Sequence, residues 1–314
     1  VEGDIKLNIM VLGGSGFLGK NIIKKLVQDT GNTIYAYDKY IDYEFFKEEV
    51  AAENVILLEA DLLEFKQVFN NLKVKIDAII HLISTVSPQS SMENEELGYQ
   101  NDLIGTLGVL SVARENKIKI FFFSSGGTVY GNQECLLLHE ELLPSPLNHY
   151  GIIKLAIEQM LLMNNKVYNT KHLILRIANP YGTKIANLNV GIIPIFYEKI
   201  KNQEEILIYG DGNNVRDFIH IDDLLDILEI MLYRENHLHS VYNIGTGVGH
   251  TTNEVLEILM KKLNSKPKIL NVSERKIDVK SNILDVQRIK SEFGFKAKVN
   301  LYRGICKFLE TYKN

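Results

Sequence analysis

The sequence predicts an α/β fold built on a doubly wound parallel sheet, with a smaller mixed α/β lobe in its C-terminal part. Three observations predict it: apolar runs of strand length alternate with segments of helical period, a glycine-rich turn joins the first run to the first helical segment, and the alternation breaks after residue 182. Such alternation produces a parallel sheet covered by helices on both faces. With 314 residues and 46% hydrophobic content, the chain can bury a large core.

The elements follow one another regularly in the first part of the chain. Strands are predicted near 6–12, 33–37, 55–59, 76–82, 118–124 and 172–178, and helices at about 17–29, 63–72, 93–116 and 149–168. After "NPYG" at 179–182 the elements become shorter, with turn signals at 209–214 and 244–250. We therefore expect one domain over residues 1–180 and a second lobe over 181–314, with some of its strands and helices crossing back to the first domain.

Composition excludes several classes of partner. The formal net charge of -4 gives no attraction to nucleic acid or to an anionic membrane surface. No apolar stretch approaches the length of about twenty residues that a membrane-spanning helix needs. The two cysteines, Cys135 and Cys306, have no paired or zinc-like spacing. We expect a cytoplasmic protein with no disulfide framework, metal site, nucleic-acid partner or membrane partner.

Three glycines follow the first strand and open the first helix. Gly13, Gly16 and Gly19 allow a sharp turn and a close approach of the backbone to a ligand. The N–H groups and the positive dipole end at that helix start favour a phosphate. A tight strand-to-helix turn without a ligand is the alternative.

Acidic residues after the next two strands indicate which dinucleotide binds there. Asp38 ends the second strand, where a carboxylate accepts hydrogen bonds from a ribose diol and repels a 2′-phosphate, so NAD is favoured over NADP. The adjacent Lys39 binds a phosphate or is simply solvated. Asp61 accepts a hydrogen bond from the adenine amino group or caps the helix at 63–72.

A second group of residues carries reactive chemistry. Tyr150 and Lys154 are four residues apart on a predicted helix, so the phenol and the ammonium project from one face. The ammonium lowers the pKa of the phenol and makes it a base at neutral pH, although such a pair also occurs in ordinary packing. The strand before this helix delivers the hydroxyls of Ser124, Ser125 and Thr128 to the carboxyl edge of the sheet, where they meet a ligand or bond locally in a turn.

The chain resembles extended short-chain dehydrogenases/reductases of the nucleotide-sugar epimerase and dehydratase group, and is similar to UDP-glucose 4-epimerases over nearly its whole length. The matching stretches, in order, are "GGSGFLG", "DAIIHLIS", "NDLIGTLGVL", "SSGGTVYG", "YGIIK", "LRIANPYG", "YGDGNNVRDFIHIDDL", "YNIGTG" and "RKIDV". The resemblance implies a Rossmann-type NAD-binding domain over 1–180 and a nucleotide-sugar-binding lobe over 181–314.

The resemblance also implies roles for individual residues. The cofactor would be bound by the glycine turn, by both carboxylates and by the following loops: Gly13, Gly16, Phe17, Leu18 and Gly19 at the pyrophosphate, Asp38 at the ribose, Asp61 and Leu62 at adenine, and Leu82, Ser84, Asn101 and Ser124 at the other half. Tyr150 would be the acid/base, and Lys154 would hold the nicotinamide ribose. The substrate would be bound by Asn179, by Arg216 and Arg275 at its diphosphate, and by Tyr209 at its base.

Two of these assignments leave alternatives open. Arg216 would instead pair on the surface with Asp217, Asp222 or Asp223. Asn282 falls where members of the family that reject acetylated sugars carry a bulky Tyr, so the smaller residue implies room for an N-acetyl group.

One position departs from the family. The catalytic hydroxyl usually stands where this chain has Gly126, so Ser125 or Thr128 must replace it. Gly127 and Thr128 also stand where dehydratases of the group carry the acidic pair of "TDEVYG". Elimination loses its acid/base partner without those carboxylates, whereas epimerisation does not need them.

The expected function is therefore an NAD-dependent epimerase that inverts carbon four of a UDP-hexose or UDP-N-acetylhexosamine through a transient 4-keto sugar. The alternatives are an NAD(P)H-dependent reductase of 4-keto sugar nucleotides and a dinucleotide-binding sensor without catalysis. The apolar segments at 93–116 and 149–165 resemble those that pair in family dimers, so we expect a homodimer.

Overall fold

The computed structural model describes residues 6–28, 31–183, 191–275 and 277–312. In chain order the strands are β1 (Asn8–Leu12), β2 (Thr33–Asp38), β3 (Val55–Glu59), β4 (Ala78–His81), β5 (Lys119–Ser125), β6 (Leu173–Ile177), β7 (Asn179–Tyr181), β8 (Ile206–Tyr209), β9 (Val215–His220), β10 (Val241–Ile244), β11 (Gly249–Thr251), β12 (Ile269–Val272) and β13 (Ser281–Asn282). The α-helices are α1 (Phe17–Leu26), α2 (Tyr43–Phe45), α3 (Phe65–Leu72), α4 (Ser90–Glu93), α5 (Glu95–Gly98), α6 (Gly105–Asn116), α7 (His149–Tyr168), α8 (Ile192–Lys201), α9 (Ile221–Tyr233), α10 (Thr252–Leu263), α11 (Gln287–Phe293) and α12 (Leu301–Glu310). A 3-10 turn spans Leu62–Glu64, and π-helical turns span Phe46–Val50 and Tyr99–Ile104.

The central sheet has seven strands in the order β10-β6-β5-β4-β1-β2-β3. The pairs β1–β2, β2–β3, β1–β4 and β4–β5 are parallel. Ile9 to Leu12 of β1 are completely buried, as is typical of a strand covered on both faces. Because the strand order runs outward from β1 in both directions, the predicted α/β class with a doubly wound, Rossmann-type sheet is confirmed.

The predicted helix at 93–116 is wrong as a single element. The chain there forms α4, α5, the π-helical turn Tyr99–Ile104 and α6, with Asn94 outside helical geometry between α4 and α5. Close packing accompanies the interruption, since a Cβ on Gly98 would lie 2.6 Å from Ile153 Cδ1 and 2.8 Å from Val86 Cγ2. The helix predicted at 149–168 is confirmed as α7, whereas α1 ends at Leu26.

The chain divides into two compact units, each assembled from three segments. The first unit comprises Val1–Ser124, Asn148–Leu175 and Leu228–Tyr242, and the second comprises Ser125–Leu147, Arg176–Ile227 and Asn243–Asn314. Strands β5, β6 and β10 each begin in one unit and end in the other. The predicted assignment of 1–180 to NAD and 181–314 to a nucleotide sugar stays a prediction.

Each unit has its own apolar core. In the first unit, side chains of the central strands such as Met10 and Phe122 pack with Val109 of α6 and Ile157 of α7. In the second unit, α8, α10 and α12 pack around residues such as Phe196, Leu256 and Phe308. Each fully buried side chain of this size stabilises the fold by about 1.5–3 kcal/mol. Within the described ranges, no helix combines the length and the apolar character needed to cross a membrane.

Candidate functional site

The turn between β1 and α1 presents backbone N–H groups at a helix start. Gly13 has a φ of +88°, which glycine adopts without strain, and the N–H groups of Gly13 and Gly14 donate to Tyr37 O at 2.8 and 3.1 Å. A Cβ on Gly19 would lie 2.1 Å from Gly13 O, so α1 packs directly on the turn. No side chain caps α1 at Gly16, and its first turn has no acidic residue. The first N–H groups of α1 therefore fit the diphosphate of a dinucleotide.

Asp38, the last residue of β2, lies beside this turn. Its Oδ2 accepts from the N–H of Ser15 at 3.0 Å, and its Oδ1 accepts from the N–H of Tyr40 at 3.4 Å. The residue is only half-buried, so its oxygens have capacity for a ribose diol. Phe17 and Leu18 are the first two residues of α1 and are also half-buried.

Lys39 and Asp61 form an ion pair with 2.9 Å between Nζ and Oδ2. Asp61 also caps the 3-10 turn that follows it, since its Oδ1 accepts from the N–H of Leu63 at 3.0 Å. The bond from Leu63, and next the bond from Lys39, hold the pKa of Asp61 below its usual range. Leu62 is buried against Gly105. The capping role considered for Asp61 is present, and its role at adenine stays a prediction.

The loop after β4 is held by Asp102, which the sequence reasoning did not single out. Asp102 is 1% exposed, and its carboxylate accepts from the N–H of Thr85 at 2.9 and 3.0 Å and from Ser84 Oγ at 3.2 Å. Asn101, half-buried, precedes it in the same π-helical turn, an element that often marks functional sites. The available signal was one carboxylate inside the otherwise weakly charged stretch "NDLIGTLGVL".

Tyr150 and Lys154 lie on successive turns of α7. Lys154 is 3% exposed, and its Nζ lies 5.7 Å from the centroid of the Tyr150 ring. The same Nζ donates to Phe123 O at 3.2 Å and to Ile83 O at 3.4 Å. Burial lowers the pKa of Lys154 to about 8, against the opposing charges of nearby carboxylates. The pair therefore consists of a half-buried phenol and an enclosed ammonium that remains mostly protonated at neutral pH.

Ile83 connects this pair to the glycine turn. A Cβ on Gly13 would lie 3.3 Å from Ile83 N and 3.3 Å from Leu82 Cβ, while Ile83 O accepts from Lys154. The structure thus brings the glycine turn, the loop after β4 and the Lys154 side chain together within the first unit. The predicted meeting of the hydroxyls, the phenol and the dinucleotide, and the individual roles of the residues, stay predictions.

Ser124 bonds to a second residue that the sequence reasoning missed. Its Oγ donates to Oε1 of Glu158 at 2.5 Å, and both residues are buried. Glu158 is four residues after Lys154 on α7, and that spacing was the signal that could have found it.

In the second unit, the segment that begins at Ser125 has no room for a side chain at Gly126. A Cβ there would lie 2.7 Å from Leu284 Cδ1 and 3.1 Å from Ile177 O. Ser125 is half-buried, with its Oγ 3.7 Å from the position of a Cβ on Gly127. Thr128 Oγ1 is enclosed and has no hydrogen-bond partner among the described residues.

Strand β9 contains or adjoins three residues of the second unit that are predicted to bind the substrate. Asn179 Nδ2 donates to the carbonyl of Asp217 in β9 at 2.9 Å, and Asn282 is the register partner of Arg216 in the same strand. Asn282 has no exposed surface, and its Nδ2 donates to Gly126 O at 2.6 Å. Asn282 is thus adjacent to the hydroxyl segment and to Arg216, and its effect on the choice of sugar stays a prediction.

Arg216 is a half-buried arginine that forms no ion pair with any residue the structure describes; its Nη1 donates to Val215 O at 2.8 Å. Burial lowers its pKa, the charge of Asp278 raises it and the charge of Arg275 lowers it. The pairing with Asp217, Asp222 or Asp223 considered from the sequence is therefore absent. Asp217 instead accepts from Thr246 and Gly247, Asp222 from Lys307, and Asp223 from the N–H groups of Lys298 and Val299.

The charge of Arg275 acts on Arg216, and its guanidinium group lies over an aromatic ring. Its guanidinium carbon lies 4.1 Å from the centroid of the Tyr209 ring, and its Nε donates to Asp278 Oδ2 at 3.0 Å. The charge of Arg275 thus disfavours that of Arg216, and the charge of Asp278, which accepts from Arg275, favours it. This arrangement fits a diphosphate beside a flat aromatic surface.

The chain is similar to known proteins and solved structures over nearly its whole length. The chain is 29% identical over 309 residues to a putative UDP-glucose 4-epimerase of Methanocaldococcus jannaschii, with 98% of each protein covered. It is 29% identical over 321 residues to a dTDP-4-dehydro-6-deoxyglucose reductase of Escherichia coli, again with 98% of each covered. Among solved structures, a UDP-glucose 4-epimerase with UDP-glucose from Thermotoga maritima superposes with a TM-score of 0.89 and 29% identity, covering 98% of this chain and 99% of that chain.

Residues 9–245 match the family described as NAD dependent epimerase/dehydratase. This match spans more than half of the chain and agrees with the resemblance found in the sequence and with the NAD cofactor it predicts. The chain therefore belongs to the NAD dependent epimerase/dehydratase family.

Proposed function

We propose that the protein is a UDP-sugar 4-epimerase that interconverts gluco and galacto forms of a UDP-hexose or UDP-N-acetylhexosamine. The observation that carries the proposal is the Tyr150–Lys154 pair, in which an enclosed ammonium lies 5.7 Å from the phenol ring. The half-buried Arg216, which forms no ion pair with a described residue, supports a diphosphate-linked substrate. Similarity over nearly the whole length of two UDP-glucose 4-epimerases, one of them putative, supports the reaction type.

In the proposed reaction the protein supplies binding and proton transfer. NAD, when bound, supplies reversible hydride acceptance at carbon four of the hexose. The Tyr150 phenolate takes the proton of the hydroxyl at carbon four and later returns it, while Lys154 stabilises the phenolate. In the second unit, Ser125 is the proposed hydrogen-bond donor to the sugar, and Arg216 and Arg275 are the proposed ligands of the diphosphate. Epimerisation eliminates no ring substituent, so the reaction does not need the acidic pair that dehydratases of the group carry.

Substrate and cofactor use can be tested together. Purified protein is incubated with UDP-glucose, UDP-galactose or UDP-N-acetylglucosamine without added NAD or NADH, and the sugars are followed by proton NMR. We expect each accepted substrate to reach an equilibrium of its two epimers, and NAD to be released when the protein is denatured. The absence of epimerisation with every UDP-sugar, while NAD is retained, contradicts the proposal.

Similarity to the Escherichia coli reductase supports one second candidate, a reductase of 4-keto sugar nucleotides. That enzyme would consume NADH or NADPH stoichiometrically with a 4-keto sugar nucleotide. The ion pair between Lys39 and Asp61 leaves the lysine engaged by a carboxylate, which argues against its use for a 2′-phosphate. Oxidation of added NADPH without epimerisation would favour the reductase.

We also propose that the active protein is a homodimer. Leu107 of α6 and Met163 and Val167 of α7 are about half exposed on the first unit, and a Cβ on Gly108 would meet no atom within 4 Å. A second copy of the chain would bury these side chains. Light scattering after gel filtration should give a dimer that Leu107→Glu dissociates, whereas Leu207→Glu, at a leucine of the second unit that is 41% exposed against 52% for Leu107, leaves it intact. A monomeric wild-type protein contradicts this proposal.

A further inference from the structure

Glu158 is a buried carboxylate that the proposed reaction does not use. It has no exposed surface and lies on α7 one turn beyond Lys154 and two turns beyond Tyr150. Residues at this spacing share one face of a helix. Because water does not screen it there, the charge of Glu158 acts strongly on its neighbours.

Glu158 and Lys154 bond to adjacent residues of β5. Oε1 of Glu158 accepts from Ser124 Oγ at 2.5 Å, and Phe123 O accepts from Lys154 Nζ at 3.2 Å. Ser124 is 5% exposed, so its hydroxyl is directed by this bond and not by solvent. The carboxylate therefore fixes the end of β5 relative to the helix that carries the reactive pair.

The charge state of Lys154 depends on the groups around it. Asp102, from the π-helical turn, and Glu158 both favour the ammonium, while burial disfavours it. His81 of β4 is also close, but burial lowers its pKa to about 3, so it is neutral. The Nζ atom also lies 4.9 Å from the centroid of the Phe122 ring and 5.7 Å from that of the Tyr150 ring. Lys154 forms no ion pair with a described residue, so both carboxylates act on it through space.

We propose that Glu158 is a positioning residue for the Tyr150–Lys154 pair, whose charge keeps Lys154 protonated and whose hydrogen bond holds Ser124 at the end of β5. A role of Glu158 in catalysis rests on the proposed function. Its effect on the protonation of Lys154 can be measured without any enzymatic turnover.

The test separates the charge of Glu158 from its hydrogen bond. Glu158→Gln retains an acceptor for Ser124 but has no charge, whereas Ser124→Ala removes the bond and retains the charge. Lysine labelled with carbon-13 at Cε is titrated by NMR in each variant, and the Lys154 signal is identified by its loss in Lys154→Arg. We expect Glu158→Gln to lower the titration midpoint of Lys154 by about one pH unit, and Ser124→Ala to leave it unchanged.

A matched control and a second variant complete the experiment. Glu229, which pairs with Lys25 at 3.2 Å, is replaced by Gln and should leave the midpoint unchanged. Glu158→Asp keeps the charge and should retain the wild-type midpoint, which provides the test if Glu158→Gln does not fold. A wild-type midpoint in Glu158→Gln, a lowered midpoint in Glu158→Asp, or equal shifts in Glu158→Gln and Ser124→Ala would overturn the proposal. If the wild type epimerises no UDP-sugar, the proposed function fails while this titration still decides the role of Glu158.

Discussion

The Nζ atom of Lys154 lies 5.7 Å from the centroid of the Tyr150 ring and donates to two backbone carbonyls. These bonds fix the ammonium one helical turn beyond the phenol, in surroundings almost without solvent. A positive charge held there favours the phenolate more than it would in water. The geometry thus places the phenol beside a charge that favours its ionised form.

Replacing Tyr150 by Phe should remove proton transfer and leave cofactor binding in place. General acid–base catalysis typically contributes about 10²–10⁴-fold, so we expect turnover to fall within that range. The ring and its packing remain, and the NAD released on denaturation should match the wild type. Epimerisation measured by NMR together with the NAD content checks both statements. Turnover close to that of the wild type would exclude Tyr150 as the acid/base.

The activity should decrease as the pH rises through about 8, the pKa of Lys154 in its buried surroundings. Only protonated Lys154 stabilises the phenolate, so its deprotonation at higher pH removes that stabilisation. Because the two groups interact, the measured value belongs to the pair. A pH profile of kcat gives the alkaline limb, and Lys154→Arg, which stays charged, should lack it. A kcat that stays constant up to the pH of unfolding contradicts this prediction.

The sequence predicted elements whose signals are local. The glycine turn at Gly13 and the helix that carries Tyr150 and Lys154 were found from spacing, because turn formation and helix periodicity depend on near neighbours. Asp102 and Glu158 were missed, since their partners Thr85 and Ser124 are far away along the chain. A single carboxylate in an apolar stretch does not reveal whether it will be buried or solvated.

Tertiary packing also changed what periodicity had predicted. The stretch 93–116 has the spacing of one helix, yet Asp102 bonds to Thr85 within a π-helical turn, and Gly98 packs closely against Ile153. Sequence proximity also fails to predict ion pairs, as Arg216 shows. Three acidic residues follow Arg216 closely in sequence, but each of them bonds to another residue in the structure.

Ser125→Ala should lower turnover more than Thr128→Ala does. Ser125 is half-buried and, with Asn179, flanks Gly127, whereas Thr128 Oγ1 is enclosed. Loss of one hydrogen-bond donor to a developing oxyanion costs about 10²-fold in kcat or more, and we expect an effect of that size for Ser125→Ala. Rates are compared at saturating UDP-sugar, with NAD content as the control for folding. Wild-type rates in both variants would reject Ser125 as the replacement for the family hydroxyl.

Gly126 and Leu284 should behave as a coupled pair. Leu284 is completely buried, and a Cβ on Gly126 would lie 2.7 Å from its Cδ1. Gly126→Ser alone therefore overpacks the site and should destabilise the protein by about 1–3 kcal/mol. Leu284→Ala alone leaves a cavity and should cost about 2–5 kcal/mol.

In the double variant the serine fills part of the cavity that the shortened residue leaves. Independent substitutions would add, whereas these two should together cost less than their sum, by about 0.5–3 kcal/mol. Denaturant unfolding of the wild type, both single variants and the double variant measures this coupling. If Leu284 occupies the space that the family hydroxyl would need, then the double variant also restores a hydroxyl at position 126. When these two substitutions are combined with Ser125→Ala, the triple variant should recover part of the turnover that Ser125→Ala loses. If the stability effects of Gly126→Ser and Leu284→Ala simply add and no turnover is recovered, Leu284 does not occupy the space of the family hydroxyl.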